Sequence, residues 1–152
     1  MEVSGWGRYP RIEAEFHQAR DARELRDIIS GTSTSRRLIA SGAGRSYGDS
    51  ALADVLLNTS YFDNFMEFDR DLGLLRCGAG TSLTSILKTC LPYGWIPAVL
   101  PGTQYVTVGG AIAADIHGKN HHLEGTFSSH LHAITLLLAS GEQVHCSSED
   151  NS

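Results

Sequence analysis

Several patterns are scarce in this sequence, and each scarcity argues against a class of protein. Basic residues number 12 against 17 acidic ones, for a formal net charge of −5, so the chain has no overall attraction for nucleic acid or anionic membranes. No apolar run approaches the roughly 18 residues that span a bilayer. The N-terminus also lacks the basic region and apolar core of a signal peptide. The sequence therefore predicts a cytoplasmic protein with no transmembrane segment and no nucleic-acid partner.

Cysteine is also scarce. The three cysteines, Cys77, Cys90 and Cys146, are odd in number, widely spaced and form no CxxC pair. A disulfide framework or a cysteine zinc site requires paired or closely spaced cysteines. We therefore expect three reduced thiols.

Glycine, in contrast, is abundant, at 16 of 152 residues. Glycine loses much backbone entropy on folding and is kept where a positive φ or a close backbone approach is needed. Seven of the glycines fall in two segments, 42–48 and 102–118. These two segments are therefore the first places to look for a ligand.

The order of elements predicts an α+β fold. Helices are predicted at 22–29, with Asp21 as N-cap, and at 82–90, with Thr81 or Ser82 as cap. Strand-like segments and hairpins are predicted at 12–17, 37–40, 55–58, 65–77 and 134–146. This mixture is too irregular for a doubly wound sheet and too helical for a β-sandwich.

The first glycine loop runs from Ser41 to Asp49. Its glycines let successive backbone N–H groups converge on an anion, and Arg45 and Ser46 can add donors to a diphosphate. The spacing is GxGxxxG, and no acidic residue ends a second strand about twenty positions later, which argues against a Rossmann turn. An ordinary tight turn remains the alternative.

The second glycine segment runs from Pro101 to His122. Gly109-Gly110-Ala111 has almost no side-chain bulk, so a flat ligand or another backbone can approach it closely. Polarity then rises sharply at His117, Lys119 and Asn120. Such a segment suits an elongated ligand with an apolar ring and a polar or anionic part.

Metal and hydrolase sites are the competing interpretations. Five of the seven histidines lie in or just after the second segment, but Gly118 and Asn120 disfavour a helix that would align His117 with His121. No carboxylate or cysteine spacing completes a metal-ligand set, so no metal is predicted. No GxSxG motif is present either, which argues against a serine hydrolase.

The two long motifs, Ser41 to Asp49 and Leu100 to Ala111, resemble the FAD-binding half of the vanillyl-alcohol-oxidase-type (PCMH-type) flavoproteins. Within that superfamily, Gly5-Trp6-Gly7-Arg8 and the run from Asp115 to His122 look most like the decaprenylphosphoryl-ribose oxidases and their bacterial homologues. The resemblance covers nearly the whole chain. It implies an α+β FAD-binding domain of two small α/β subdomains, with FAD extended between them.

The resemblance also implies the cofactor contacts. The first loop would hold the diphosphate, through Gly42, Ala43, Gly44, Arg45, Ser46 and Tyr47. The second segment would follow the diphosphate, ribityl chain and isoalloxazine, through Pro101, Gly102, Thr103, Val106, Thr107, Gly109, Gly110, Ala113, His117, Gly118 and Asn120. Tyr47 and His117 would face the substrate side of the flavin.

One departure concerns attachment of the cofactor. Many relatives bind FAD covalently through a histidine at the position of Arg45, and a guanidinium cannot form that bond. We therefore expect non-covalent FAD.

The second departure is length. Relatives continue for hundreds of residues, so the chain resembles an N-terminal fragment, with an incomplete FAD-binding domain at 1–146 and a polar tail at 147–152. The catalytic base cannot be assigned, and we expect the fragment to bind FAD weakly and to be inactive alone.

The function implied by the resemblance is oxidation of a sugar-type alcohol, free or linked to a lipid phosphate, by hydride transfer to flavin N5. A reductase partner would complete an epimerisation in cell-wall arabinan synthesis. Alternatives are a sugar or alditol oxidase that uses oxygen and a non-catalytic nucleotide- or metal-binding module.

Overall fold

The first half of the chain is built around a small parallel sheet. The structure, a computed structural model, describes residues 1–150. The elements of this sheet region are β3 (Glu15–Gln18), α1 (Ala22–Gly31), β4 (Leu38–Ser41) and β5 (Val55–Asn58). The three strands pair in parallel in the order β3-β5-β4, and helix α1 connects β3 to β4. Because β5 is the central strand, Val55, Leu56 and Leu57 are all buried, which explains its continuous apolar run.

Ahead of this sheet lies an antiparallel hairpin of β1 (Glu2–Ser4) and β2 (Arg11–Glu13). The predicted extended segment 12–17 is therefore split at Ala14 between two sheets. Two hydrogen bonds between Ala14 and Met1 close the open end of the hairpin. The Ala14 N–H donates to the Met1 carbonyl at 2.9 Å, and the Ala14 carbonyl accepts from the Met1 amine at 2.6 Å.

Helix α1 confirms the predicted N-cap. The Asp21 carboxylate accepts hydrogen bonds from the N–H groups of Arg23 and Glu24, at 2.8 and 2.9 Å. The helix continues two residues past the predicted end at 29, because Thr32 closes the last turn with its hydroxyl on the Ile28 carbonyl at 2.8 Å.

The second half of the chain has its own core. Hairpin strands β6 (Phe65–Asp69) and β7 (Leu74–Cys77) precede helix α2 (Leu83–Cys90) and a 3₁₀ turn at Leu91–Tyr93. Leu83, Ile86 and Cys90 are buried on the predicted face of α2, whose cap is Ser82 rather than Thr81. Partly buried residues pack around them: Phe68, Leu75, Cys77, Leu100, Val106, Val108, Ile116 and Phe127.

The remaining elements follow α2. They are α3 (Val108–Ala113), α4 (His121–Glu124), a 3₁₀ turn at Phe127–His130, and hairpin strands β8 (Ala133–Leu137) and β9 (Gln143–Ser147). The last hairpin was predicted within one residue, whereas both short helices were missed. Ser147 ends β9 and so belongs to the strand rather than to the predicted tail, of which Asn151 and Ser152 lie outside the described residues. Across residues 1–150, no helix is long and apolar enough to cross a membrane.

Candidate functional site

The first glycine loop begins where β4 ends. The Ser41 carbonyl accepts a hydrogen bond from the Thr59 N–H at 3.0 Å, which fastens the start of the loop to the end of β5. Gly44 and Gly48 have φ angles of 64° and 57°, which residues with a side chain rarely adopt. Residues 43–44 and 46–49 are exposed. The loop therefore presents its backbone at the surface, as an anion-binding nest requires.

At the start of α3, the first loop meets another glycine-rich turn, residues 78–80, which is separate from the second glycine segment. Thr107 caps this helix, because its hydroxyl accepts from the Gly110 N–H at 3.2 Å. A Cβ added at Gly42 would lie 2.5 Å from the same hydroxyl oxygen. On the other side, the Gly109 N–H donates to the Ala79 carbonyl at 2.7 Å. Three glycine segments that are far apart in sequence thus converge on one short helix.

The bare stretch Gly109-Gly110-Ala111 is therefore only partly open. An added Cβ at Gly109 would lie 3.1 Å from both the Cβ and the carbonyl oxygen of Ala79, and Ala111 is fully buried. The sequence predicted that a flat ligand or another backbone approaches this stretch closely. At Gly109 the close neighbour is the backbone of Ala79. Gly110 and Ala113 remain exposed on α3.

The N-terminal segment covers the outer side of the first loop. The Trp6 N–H donates to the Ser46 carbonyl at 2.8 Å, and a Cβ at Gly5 would collide with the Gly48 carbonyl oxygen. The Arg45 guanidinium carbon lies 4.2 Å from the Trp6 ring centroid and 5.6 Å from that of Tyr105. Its Nε is buried with no hydrogen-bond partner among the described residues. Sequence reasoning had assigned Arg45 to the diphosphate and did not foresee this stacking.

Three predicted cofactor residues have structural contacts of their own. Val106 packs on the α2 core, and its carbonyl accepts from the Leu83 N–H at 3.0 Å. Thr103 Oγ1 accepts from the Tyr105 N–H at 3.3 Å, and Thr107 is buried as the α3 cap. Their direct contact with a cofactor stays a prediction.

The segment from His117 to His122 forms one wall of an open cleft. The ring of His117 meets that of His121 edge-on, with centroids 5.3 Å apart, and His121 meets His122 at 6.0 Å. No helix connects His117 to His121, as predicted, because α4 begins at His121. A turn nevertheless brings the two rings together.

The cleft has a volume of about 680 Å³, and its two facing walls are residues 96–102 and 117–121. Gly118 approaches Leu100 so closely that an added Cβ would lie 2.8 Å from the Leu100 carbonyl oxygen. The Asn120 side-chain amide donates to the Ala98 carbonyl at 3.0 Å, which holds the two walls together. The lining residues are Ile96, Pro97, Ala98, Leu100, Pro101, Gly102, His117, Gly118, Lys119, Asn120 and His121. One wall is therefore apolar and the other carries histidine, lysine and amide groups.

Asp115 anchors the polar wall of the cleft, a role that was not predicted from the sequence. Asp115 has a φ of 40°, and its carboxylate accepts from the Ser128 N–H at 3.0 Å. That hydrogen bond, with smaller contributions from the hydroxyls of Ser128 and Thr126, lowers the pKa of Asp115 below its usual range. The aspartate thus fastens the start of the histidine segment to the 3₁₀ turn at Phe127–His130.

The histidines of the described residues form no metal-binding cluster. Within residues 1–150, no group of three or more histidine, cysteine, aspartate or glutamate side chains could hold a metal ion. His130 lies apart from the His117 group and contacts the Glu124 carbonyl at 2.9 Å.

Comparison with known protein families identifies the family of the chain that forms this cleft. The family described as the FAD binding domain matches residues 15–147. The chain belongs to this FAD-binding family. The match contains both glycine segments and the histidine wall.

Named relatives agree. The chain is 40% identical to decaprenylphosphoryl-beta-D-ribose oxidase of Mycolicibacterium smegmatis, over 94% of this chain and 32% of the relative. It is 24% identical to L-gulonolactone oxidase of Mus musculus, over 99% of this chain and 35% of the relative. The chain therefore spans about a third of the length of these relatives.

The fold is shared with a solved flavoprotein. The crystal structure of 6-hydroxy-D-nicotine oxidase from Arthrobacter nicotinovorans superposes with a TM-score of 0.74 at 15% identity, covering 90% of this chain and 30% of that one. The predicted α+β, PCMH-type FAD-binding fold is thereby confirmed.

The residues of the first loop and of the cleft fit FAD, the cofactor of this family. The exposed loop with positive φ at Gly44 and Gly48 suits a diphosphate. Arg45 adds a positive charge to that loop and has a buried Nε donor with no partner in residues 1–150. The apolar and polar walls of the cleft suit a flat ring with polar edges.

Proposed function

We propose that this chain is the FAD-binding portion of an oxidoreductase that oxidises a sugar-type alcohol. The observation that carries the proposal is the convergence of the three glycine segments on the start of α3, in a chain whose family binds FAD. The similarity to decaprenylphosphoryl-beta-D-ribose oxidase supports a lipid-phosphate-linked sugar as the substrate. A reductase partner that completes an epimerisation belongs to the same proposal.

In this proposal the chain's own residues bind and orient. The first loop, Gly42 to Tyr47, holds the diphosphate through backbone N–H groups, with Arg45 as the neighbouring cation. The segments 101–110 and 113–120 hold the ribityl chain and the ring. When bound, FAD supplies a hydride acceptor at flavin N5 for the alcohol C–H.

Tyr47 and His117 are the proposed substrate-side residues. Tyr47 is 75% exposed on the first loop, so its phenol is available to a ligand. His117 lines the cleft beside Lys119, which gives the substrate side two groups that can bind an anion.

A second candidate is a sugar or alditol oxidase that passes electrons to oxygen. The observation that favours it is the similarity to L-gulonolactone oxidase over 99% of the chain. The two candidates share the FAD site and differ in the electron acceptor, so re-oxidation of the reduced, full-length protein by oxygen alone distinguishes them.

The test of the FAD site is a titration followed by flavin fluorescence and by NMR shifts of the chain's amides. We expect binding weaker than submicromolar, since this chain supplies only part of the contacts implied by the resemblance, with shifts confined to 42–48 and 101–120. Gly42→Ala should abolish these shifts because the new methyl meets Thr107, whereas Gly31→Ala, with open space around it, should bind normally.

Two results would contradict this interpretation. Absence of any shift at millimolar FAD would refute the FAD site, and submicromolar affinity would refute the idea of a partial site. Attachment is tested separately: we expect no flavin fluorescence on the denatured protein band, because Arg45 cannot form a covalent link to FAD.

A further inference from the structure

The N-terminal segment, residues 1–13, is attached to the first glycine loop at a few points only. Its strands β1 and β2 pair with each other and belong to a sheet separate from β3-β5-β4. A cavity of about 270 Å³ lies between the segment and the sheet, lined in part by Val3, Phe16, Ser46, Leu52 and Leu56. The hairpin is therefore not packed tightly onto the sheet. Apart from its connection to β3 through Ala14, it is held by contacts at its turn, after β1.

Those contacts cluster on Gly5 and Trp6. The Trp6 N–H donates to the Ser46 carbonyl at 2.8 Å, and Gly5 lies directly against the Gly48 carbonyl. The Trp6 ring, which is 54% exposed, faces the Arg45 guanidinium at 4.2 Å. One hydrogen bond, the close backbone approach at Gly5 and one stacking contact thus join the segment to the loop.

Arg45 is placed by stacking rather than by ion pairing. Its guanidinium lies between the rings of Trp6 and Tyr105, and no carboxylate among the described residues pairs with it. Its buried Nε donates to no group of residues 1–150, so a hydrogen bond from that nitrogen does not explain the geometry. A planar cation between aromatic faces is favourable in its own right.

The position of Arg45 in the loop gives this stacking a consequence. Arg45 lies between Gly44, which has a φ of 64°, and Ser46, whose carbonyl accepts from Trp6. Tyr105 lies in the second glycine segment, two residues before the α3 cap. Fixing the guanidinium therefore fixes the loop relative to both the N-terminal segment and the second glycine segment.

We infer that Arg45 is a positioning residue, which latches residues 1–13 onto the first glycine loop by stacking between Trp6 and Tyr105. The latch holds the loop in the shape that meets the cofactor. This last step rests on the proposed FAD site, whereas the latch itself does not.

The test compares amide exchange, resolved by NMR, in the unmodified chain and in Arg45→Met and Arg45→Lys. The Trp6 N–H reports the latch, and the Leu56 N–H in the central strand reports global stability. We expect Arg45→Met to speed exchange at Trp6 by about tenfold, since it removes one partly buried cation–π stack. Arg45→Lys keeps the charge but loses the planar stacking, and should give a smaller increase.

Arg37→Met is the matched control. Arg37 lies just before β4, its side chain is 78% exposed, and its nearest charged partner is Asp54 at 3.8 Å. This variant should leave exchange at Trp6 unchanged. Unchanged exchange at Trp6 in Arg45→Met would overturn the latch, as would equal acceleration at Trp6 and Leu56, which indicates general destabilisation.

An FAD titration of the same variants separates the latch from the proposed function. We expect Arg45→Met to weaken FAD binding in parallel with its faster exchange. Loss of FAD binding with normal exchange at Trp6 would mean that Arg45 affects FAD only by direct contact, and would overturn the positioning role. If the unmodified chain binds no FAD, the proposed function fails, while the exchange comparison still decides the latch.

Discussion

The first glycine loop and the second glycine segment use the same residue for different physical reasons. In the first loop, Gly44 and Gly48 have positive φ, and an added Cβ at either would meet nothing within 4 Å. In the second segment, an added Cβ at Gly118 would lie 2.6 Å from Asn120 Oδ1 and 2.8 Å from the Leu100 carbonyl oxygen. Gly44 and Gly48 therefore need dihedral freedom, and Gly118 needs space.

This difference shows how each shape is maintained. The first loop has its shape from its own backbone and is exposed, so it requires an external support, which the segment 1–13 supplies. The second segment has its shape from the walls around it, through Gly109 on Ala79 and Asn120 on Ala98. A substitution at Gly118 should therefore disturb the fold, whereas one at Gly44 should remain local.

The largest expected effect is at Gly118. Gly118→Ala puts a methyl group against a backbone carbonyl that cannot rotate away, and we expect a loss of about 2–3 kcal/mol in the free energy of unfolding. Urea unfolding followed by circular dichroism measures it. Gly102→Ala is the control, because nothing lies within 4 Å of its added Cβ. Equal stability of the two variants would contradict the steric requirement at Gly118.

Gly44→Ala should have a smaller effect. The new side chain has room but must adopt a φ of 64°, which disfavours the folded state by about 1 kcal/mol. Gly44→Asn should lose less, since asparagine tolerates this conformation better. Gly7→Ala, an exposed glycine with neither constraint, should be neutral in the same unfolding measurement. A loss at Gly44 as large as that at Gly118 would contradict a purely local cost.

Local signals in the sequence predicted much of this fold. The Asp21 cap, the buried face of α2 at Leu83, Ile86 and Cys90, and the apolar run of β5 depend on neighbours within a few residues. The two glycine segments were predicted as ligand-binding segments from their composition alone. Patterns of this kind are legible without knowledge of the tertiary structure.

Contacts between distant residues could not be predicted in this way. Helix α3 contains Gly109 and Gly110, each of which disfavours a helix by about 1 kcal/mol relative to alanine, and it forms because Thr107 caps it and Ala111 is buried. The Trp6–Arg45–Tyr105 stack joins three parts of the chain and follows no periodicity. Thr107, a residue type that often caps helices, was the local signal available for α3.

The smallest expected effect concerns Asp115, an anchor of the second segment. The Ser128 N–H lowers the pKa of this carboxylate, so its stabilising contribution is fully present above its unfolded-state pKa and is lost as pH falls through the folded value. Asp115→Asn keeps an acceptor oxygen but loses the charge. The stability difference between the two proteins should therefore be constant at neutral pH and shrink below about pH 4. Urea midpoints across this range measure it, with Asp63→Asn as an exposed control. A difference that grows on acidification would mean that the charge of Asp115 opposes the folded state, and the second segment would then be held by packing alone.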